Sequence, residues 1–299
     1  MSADPLISVV VPVRDGEAHL GRCLESIHAL DWPKERIEII VVDNGSSDDS
    51  PAIAARAGAQ VLHAATRGAA AARNVGWRTA KGEIIAFTDC DCTVSPQWLR
   101  ELIAAFDDPQ VGCAGGRLVP APPTNAVEEY IIAKDILSQE RALRDDPGSP
   151  PFLVTANAIY RRAVLEQIGG FDETLAIAGE DADLAWRAQW AGWKLISVPA
   201  AEVTHHHRST VRGLMRQLSQ YGAGTTHLFK KHRAKLGLRR FTLKEPYFEV
   251  LWGIVMTPFR LVLGQSRLER LWPVFEVLAM SSYIVGKLRA SLRLRVWNV

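Results

Sequence analysis

Cysteine is scarce in this 299-residue sequence, which contains four: Cys23, Cys90, Cys92 and Cys113. Their positions form neither the disulfide framework of a small secreted domain nor the two cysteine pairs of a structural zinc site. We therefore expect reduced thiols in a cytoplasmic protein. The apolar run that ends at Pro12 is about seven residues long and has no basic leader, so it predicts a first strand rather than a signal peptide.

Long apolar runs are also missing. A membrane-spanning helix needs about 20 apolar residues, whereas the two most apolar helical stretches, 248–264 and 271–288, are both interrupted by proline and by charged residues. Negative charge is scarce in the same part of the chain. Residues 201–299 contain 17 Lys and Arg but only 5 Asp and Glu, while residues 1–200 contain 18 and 28.

A basic region favours an anionic partner, and apolar faces with tryptophans and basic flanks are typical of helices that lie in a membrane interface. We predict that residues 211–299 form a helical region attached peripherally to the inner face of the membrane, with no role in binding nucleic acid. The alternative is a helical appendage that packs on the preceding domain or on another subunit.

In residues 1–210 short apolar runs alternate with helical patterns. This alternation predicts an α/β domain with a mostly parallel sheet, flanked by helices and buried on both faces. The predicted strands cover 7–13, 37–42, 60–63, 83–88, 152–160 and 193–198, and the predicted helices include 69–80, 126–143 and 180–191. The first strand is not followed by the glycine fingerprint of a dinucleotide-binding dehydrogenase, which excludes that class.

The triplet Asp89-Cys90-Asp91 follows the predicted strand 83–88. Open α/β sheets bind ligands at the carboxyl ends of their strands. In an extended segment Asp89 and Asp91 would point the same way, and two converging carboxylates repel each other unless a cation lies between them. Hard oxygen ligands suit Mg²⁺ or Mn²⁺.

The same residues also match the nucleophile pattern of a haloacid-dehalogenase-type phosphatase, Asp89-x-Asp91-x-Thr93. That class carries the pattern on an early strand and needs a lysine downstream. Here the pattern follows several predicted strands, and no lysine lies between Lys134 and Lys194. The phosphatase is therefore the weaker alternative.

Two further groups fall near the same predicted sheet edge. Asp43 closes a strand, where its carboxylate can accept hydrogen bonds from a base or from ribose hydroxyls; the alternative is an Asp-Asn-Gly turn. Arg73 and Asn74 lie on a following helix, and the alternative for them is a solvated surface pair.

Five segments in this order resemble the family-two, GT-A-fold inverting glycosyltransferases, over roughly residues 5–210. The segments are Val9-Val-Val-Pro-Val-Arg14, Ile39-Ile-Val-Val-Asp-Asn-Gly-Ser-Ser-Asp48, Ala71-Ala-Arg-Asn-Val-Gly76, Gly82-Glu-Ile-Ile-Ala-Phe-Thr-Asp-Cys-Asp91 and Gly179-Glu-Asp-Ala-Asp-Leu-Ala-Trp-Arg187. Each segment is short, but the ordered set is specific.

The resemblance implies a role for each candidate residue. Asp91 would ligate the metal, and Asp89 would meet the metal or the ribose. Asp181 would be the general base, with Glu180 as the alternative. The residues implied on the donor side are Pro12, Arg14 and Asp43 around the nucleoside, and Arg73 and Asn74 on the diphosphate side. Val13, which lies between Pro12 and Arg14, and Arg208, which could contact the diphosphate, are further candidates for donor binding.

Two local patterns bear on these roles. The carboxylates of Glu180, Asp181 and Asp183 open a helix, so we expect them to stay ionised at neutral pH; for Asp183 we favour a helix-start role. In the run His205-His206-His207, at most the first and third side chains share a face of a strand. The resemblance implies His205 as the metal-contacting histidine, with His207 as the second choice.

The resulting hypothesis is a metal-dependent inverting glycosyltransferase. It would move a sugar from a nucleoside diphosphate, UDP more than GDP, to the hydroxyl of a glycan or lipid-linked acceptor. Besides the phosphatase, a non-catalytic membrane-bound module that binds nucleotide-sugars remains an alternative.

Overall fold

The computed structural model describes residues 4–146, 148–238 and 245–298. The chain divides into two compact units. The first is formed by the residues up to 121 together with 138–176 and 180–206, and the second by 122–137, 177–179 and the residues from 207 onward. That residues 1–210 and 211–299 are separate domains stays a prediction.

Within the described residues, eight strands of the first unit form one sheet in the order β3-β2-β1-β4-β7-β6-β8-β5. The pairings among β1 to β4 and the pairing of β6 with β8 are parallel, whereas β7 and β5 pair antiparallel with their neighbours. The strands are β1 (Ile7–Val13), β2 (Ile37–Asp43), β3 (Gln60–His63), β4 (Ile84–Phe87), β5 (Cys92–Val94), β6 (Val111–Pro120), β7 (Ala158–Arg161) and β8 (Lys194–His205).

Helices flank this sheet and make up most of the second unit. The described helices are α1 (Glu17–His28), α2 (Ser50–Arg56), α3 (Ala69–Thr79), α4 (Trp98–Ala104), α5 (Ala126–Ala133), α6 (Gln139–Ala142), α7 (Arg162–Ile168), α8 (Glu180–Trp190), α9 (Val211–His232), α10 (Glu245–Leu263) and α11 (Arg267–Leu294). Short 3₁₀ turns cover Lys34–Arg36, Ala105–Asp107 and Thr155–Asn157.

The central strands of the sheet are buried on both faces, where helices cover them. Every residue of β4 is buried, and β1 is buried except for Pro12, as continuous apolar strands predict. Gly76 allows α3 to approach β1, because a Cβ at this position would overlap the side chain of Val10. The predicted α/β architecture with flanking helices is confirmed, as a mixed sheet whose parallel part contains the first four predicted strands.

Several predicted boundaries were wrong. The helix predicted over 126–143 is two helices, α5 and α6, separated at Asp135, whose φ is +54°. The strand predicted over 152–160 is limited to β7 and follows a 3₁₀ turn. Strand β6 was not predicted, because its glycines lower strand propensity. They are required there: a Cβ at Gly116 would overlap the carbonyl oxygen of Ala201 on β8.

The second unit is a helical assembly with a polar network inside it. Helices α9 and α11 pack closely at two glycines, since a Cβ at Gly222 would overlap the carbonyl of Tyr283 and one at Gly286 the carbonyl of Ser219. Tyr130 on α5 donates a hydrogen bond of 2.8 Å to Glu276 on α11.

Helix α10 presents an unusual surface. Leu251, Phe259 and Val262 are 61%, 57% and 78% exposed, and further apolar side chains of α10 are exposed in the same helical spacing: Phe248, Trp252 and Val255. Among the described helices, Arg267–Leu294 is the one long and apolar enough to cross a bilayer by length and composition, and 44% of its most apolar stretch is buried.

Candidate active site

The carboxyl ends of β1 and β2 are joined by hydrogen bonds between their following loops. Asp15, whose φ is +52°, accepts hydrogen bonds at Oδ1 from the backbone N–H and the hydroxyl of Ser47, at 2.8 and 3.0 Å. The N–H of Gly16 donates to the hydroxyl of Ser50 at 2.9 Å. These contacts fix the backbone that surrounds Asp43 and the last residues of β1.

Asp43 forms the turn that was the alternative to a binding role. Its carboxylate accepts hydrogen bonds from the N–H groups of Gly45 and Ser46, at 3.3 and 3.0 Å, and contacts Nδ1 of His63 at 3.3 Å. Burial acts to raise the pKa of Asp43, but the hydrogen bonds from Ser46, His63 and Gly45 lower it overall. The carboxylate is therefore held ionised and in a fixed orientation.

The three predicted residues at the end of β1 differ in exposure. Val13 pairs with Asp43 in the parallel ladder and is buried, so its side chain is not accessible to a ligand. Pro12 pairs with Val42 and is partly exposed. Arg14 is exposed, and its Nε lies 3.8 Å from Asp15 Oδ2.

Arg73 connects two regions that the sequence separates widely. Its guanidinium is 4% exposed and donates from Nη2 to Asp89 Oδ1 at 2.7 Å and from Nη1 to Glu180 Oε1 at 2.8 Å. Desolvation acts to lower the pKa of Arg73, but the charges of Asp89 and Glu180 outweigh it and raise the pKa. Arg73 is thus a buried link between the acidic triplet and the start of α8.

Asn74 lies inside the structure, not at an open surface. It is fully buried, and its amide donates to the carbonyl of Phe171 and to Glu173. Its Oδ1 accepts hydrogen bonds from the N–H of Phe171 and from Nε1 of Trp77. The side chain fastens α3 to the segment after α7, and these four contacts account for its donors and acceptor.

The acidic triplet is not extended. The N–H of Cys92 donates to the carbonyl of Asp89 at 3.0 Å, which closes a turn. The expectation that Asp89 and Asp91 point the same way from an extended segment is therefore wrong. The turn sends Asp89 toward Arg73 and Asp91 toward His205, whose Nε2 lies 3.6 Å from Asp91 Oδ1.

Asp91, Cys92 and His205 form a group whose ligand atoms all lie within 4.8 Å of one another. The pairing of β5 with β8 creates this group, because Cys92 lies opposite His205 in the antiparallel ladder. Burial and the charges of Asp91 and Asp89 raise the pKa of the Cys92 thiol. A carboxylate and an imidazole fit Mn²⁺ or Mg²⁺, whereas a cysteine sulfur is a soft ligand that suits other metals.

The remaining residues of the histidine run have different surroundings. The N–H of His206 donates to the carbonyl of Asp91 at 2.9 Å, and its ring stacks on His19 with ring centroids 5.6 Å apart. His207 and Arg208 belong to the second unit.

The three carboxylates at the start of α8 have different surroundings. Asp183 is fully buried and binds Arg187 four residues later at 2.8 Å, which agrees with a structural role. Glu180 binds Arg73. Asp181 is partly buried, and its Oδ1 accepts a hydrogen bond from the N–H of Ala182.

Burial, and then the nearby charge of Glu180, raise the pKa of Asp181 from 3.8 to about 7, while the charge of Arg73 opposes them. The expectation that Asp181 is fully ionised at neutral pH because it starts a helix is therefore wrong. Desolvation exceeds the stabilisation that a helix N-terminus provides.

Sequence reasoning missed two features beside the triplet. Cys92 was not associated with His205, because the pairing of β5 with β8 has no local signal. His19 and Arg22 were also missed, although their spacing of three residues places them on one face of α1. Arg22 Nη1 lies 3.1 Å from Nε2 of His206.

The model of the family described as "Glycosyl transferase family 2" matches residues 8–169, and the chain belongs to this family. A pre-mycofactocin glycosyltransferase of Mycobacterium tuberculosis is 33% identical over 240 residues, which are 77% of this chain and 48% of the relative. The glycosyltransferase AglE of Haloferax volcanii is 28% identical over 84% of this chain and 81% of its own length. This chain therefore spans about half of the mycobacterial relative.

Solved structures support the fold. The mannosyltransferase PcManGT from Pyrobaculum calidifontis, in complex with GDP-Man and Mn²⁺, matches with a TM-score of 0.66 at 19% identity, covering 96% of this chain and 88% of its own. TarS of S. aureus, in complex with UDP-GlcNAc, matches with a TM-score of 0.54 at 16% identity, covering 97% and 92%. The architecture is the predicted GT-A fold.

Proposed function

We propose that the protein is an inverting glycosyltransferase that moves a sugar from a nucleoside diphosphate to an acceptor hydroxyl. The observation that carries the proposal is the Asp89–Arg73–Glu180 link, in a chain of glycosyl transferase family 2. It ties the turn that contains Asp91 to the start of the helix that contains Asp181. The relatives named above are glycosyltransferases, and the solved neighbours hold GDP-Man or UDP-GlcNAc.

Asp91 and His205 are the residues that would hold Mn²⁺ or Mg²⁺. The cation would neutralise the charge that develops on the departing nucleoside diphosphate. Asp89, which was also predicted as a ligand, is committed to Arg73 through Oδ1, so we assign it to the ribose side, where its other oxygen can accept a hydroxyl hydrogen bond.

Asp181 is the candidate general base. A pKa of about 7 suits a group that must accept a proton from an acceptor hydroxyl near neutral pH. The hydroxyl would attack the anomeric carbon as Asp181 removes its proton, and one direct displacement inverts the configuration. Glu180 is a weaker candidate because its carboxylate is already bound to Arg73.

On the donor side we retain Asp43, Pro12 and Arg14 as candidates for the nucleoside pocket. We reassign Arg73 and Asn74 as supporting residues, because both are buried and bound to protein groups. Contact between Arg208 and the diphosphate stays a prediction. The solved neighbours include both uridine and guanosine nucleotides, so the preference for UDP also stays a prediction.

The acceptor proposal rests on α10. Its exposed apolar face and the basic residues of the C-terminal region favour a position at the surface of an anionic membrane, facing the cytoplasm. Attachment there would bring the enzyme to the surface in which lipid-linked saccharides lie. Of the two predicted interfacial helices, α10 is the better candidate, because it exposes a continuous apolar face, whereas 44% of the most apolar stretch of α11 is buried.

Calorimetry and activity assays test the enzyme. Wild-type protein is titrated with UDP and GDP sugars, with and without Mn²⁺. Asp91→Ala should abolish the Mn²⁺-dependent part of donor binding, whereas Asp108→Ala, at an exposed ion pair with Lys194, should leave it unchanged. Unchanged affinity in Asp91→Ala would refute the metal assignment. Asp181→Asn should bind the donor but transfer sugar about 10²–10⁴-fold more slowly. If it transfers at the wild-type rate, Asp181 is not the base.

Vesicle sedimentation tests the membrane assignment. Leu251→Glu together with Phe259→Glu on α10 should release the protein from vesicles containing phosphatidylglycerol. Leu292→Glu, at a 74% exposed position on α11, is the matched control and should still bind. Equal binding by all three proteins would show that α10 is not the membrane contact.

A further inference from the structure

Three side chains of the first unit converge beside the candidate metal pair. His19 and Arg22 lie on one face of α1, and His206 follows β8. Arg22 Nη1 lies 3.3 Å from Nδ1 and 3.1 Å from Nε2 of His206, and the rings of His19 and His206 stack with an interplanar angle of 25°. None of these contacts serves the metal pair or the candidate base.

The cluster offers one permanent positive charge and several hydrogen-bond donors. Arg22 carries the positive charge, and the imidazoles of His19 and His206 each carry at least one N–H group. Nδ1 of His19 is buried and has no hydrogen-bond partner among the described residues.

The cluster adjoins the residues assigned to the metal. The N–H of His206 donates to the carbonyl of Asp91, and the preceding residue is His205. Arg22 itself is exposed, so a ligand in solvent can reach its guanidinium. An arginine fork with two adjacent imidazoles is an arrangement suited to the oxygens of a phosphate group.

We propose that His19, Arg22 and His206 form a binding site for a phosphate group next to Asp91. The inference builds on the proposed transferase function, because two substrates of that reaction can carry this chemistry. One is the diphosphate of the donor, and the other is a phosphate on the acceptor. Arg22 supplies a permanent charge and the imidazoles supply N–H donors, so binding does not require either histidine to change protonation.

The test compares Arg22→Gln and His19→Gln with wild type. Arg56→Gln, at an exposed arginine on α2, is the matched control. One arm measures by calorimetry the affinity for UDP and for GDP with Mn²⁺. The other measures the affinity for inorganic phosphate, first alone and then with the nucleoside diphosphate and Mn²⁺ at saturation. Thermal midpoints close to wild type establish that the variants are folded.

We expect both variants to weaken binding about tenfold in at least one arm, as loss of one charge-assisted contact predicts. Weaker nucleotide binding assigns the site to the donor, and weaker phosphate binding at saturating nucleotide assigns it to the acceptor. Unchanged affinities in both arms overturn the inference. If wild type binds neither nucleotide, the proposed function fails, and inorganic phosphate alone still decides whether this site exists.

Discussion

Replacing Arg73 tests whether the buried link between the acidic triplet and α8 holds the site together. Arg73→Gln removes a cation that is 4% exposed and leaves the carboxylates of Asp89 and Glu180 without their shared partner. Breaking a buried ion pair on one side costs about 3–5 kcal/mol. We expect the lower end of this range, because the Asp89 side chain is 31% exposed and water can solvate it.

The same substitution should change the pH dependence of transfer. Arg73 acts to lower the pKa of Asp181, so its loss should raise that pKa further. A base with a higher pKa is protonated over a wider range, and the acid limb of kcat/KM should therefore move to higher pH. Arg73→Lys keeps the positive charge, so the acid limb of its pH profile should lie close to that of wild type. Its free energy of unfolding should recover less, since one ammonium does not reproduce the two hydrogen bonds of the guanidinium fork.

Denaturant unfolding and a pH profile of kcat/KM measure these two effects. The control is Arg78→Gln on the same helix, where an exposed arginine lies 3.6 Å from Glu173; its effect should stay within about 0.5 kcal/mol. The reasoning is refuted if Arg73→Gln loses no more stability than this control and its acid limb does not move.

Three further variants extend the test. Because folding raises the pKa of Asp181 from 3.8 to about 7, its contribution to stability is full below about pH 4 and falls as pH rises toward 7. Asp181→Asn should therefore have a higher melting temperature than wild type at pH 8 but not at pH 4, and its rate of sugar transfer should fall about 10²–10⁴-fold. Equal shifts of the melting temperature at both pH values would contradict the raised pKa. Asn74→Ala should lower the free energy of unfolding by about 2–4 kcal/mol and leave the donor Kd of the folded protein unchanged; a weaker Kd would restore its predicted diphosphate role. Gly222→Val should destabilise the second unit by more than about 1–3 kcal/mol, since the new side chain meets the backbone of α11. The control Gly21→Val places its side chain in open space and should cost less than about 1 kcal/mol. Similar losses of stability in the two variants would exclude a close-packing role for Gly222.

The sequence allowed prediction where the physical cause is local. The continuous apolar runs of β1, β2 and β4 predicted buried strands because burial on both faces removes alternation. The carboxylates at the ends of these strands could then be placed at one edge of the sheet. The ordered segments that resemble the family carried the functional hypothesis further than any single pattern.

Other features depend on partners that are distant in sequence. Glu180 lies 107 positions from Arg73, and nothing in either segment alone indicates that they form an ion pair. The pKa of Asp181 depends on burial, which no helix-start pattern reports. The turn at Asp89 and the glycine-rich strand β6 were missed for a related reason: tertiary contacts override their local propensities.

The position of β5 in the sheet has a consequence for how the protein is made. Cys92 emerges early in translation, but its ladder partner His205 follows on the order of 10 s later at typical elongation rates. Until β8 arrives, β5 lacks its pairing strand and β6 presents an open edge, which is an aggregation hazard. A fragment that stops at residue 169, where the family match ends, would be trapped in that state. We expect such a fragment to need a chaperone or to precipitate, and expression work should keep the chain through residue 206.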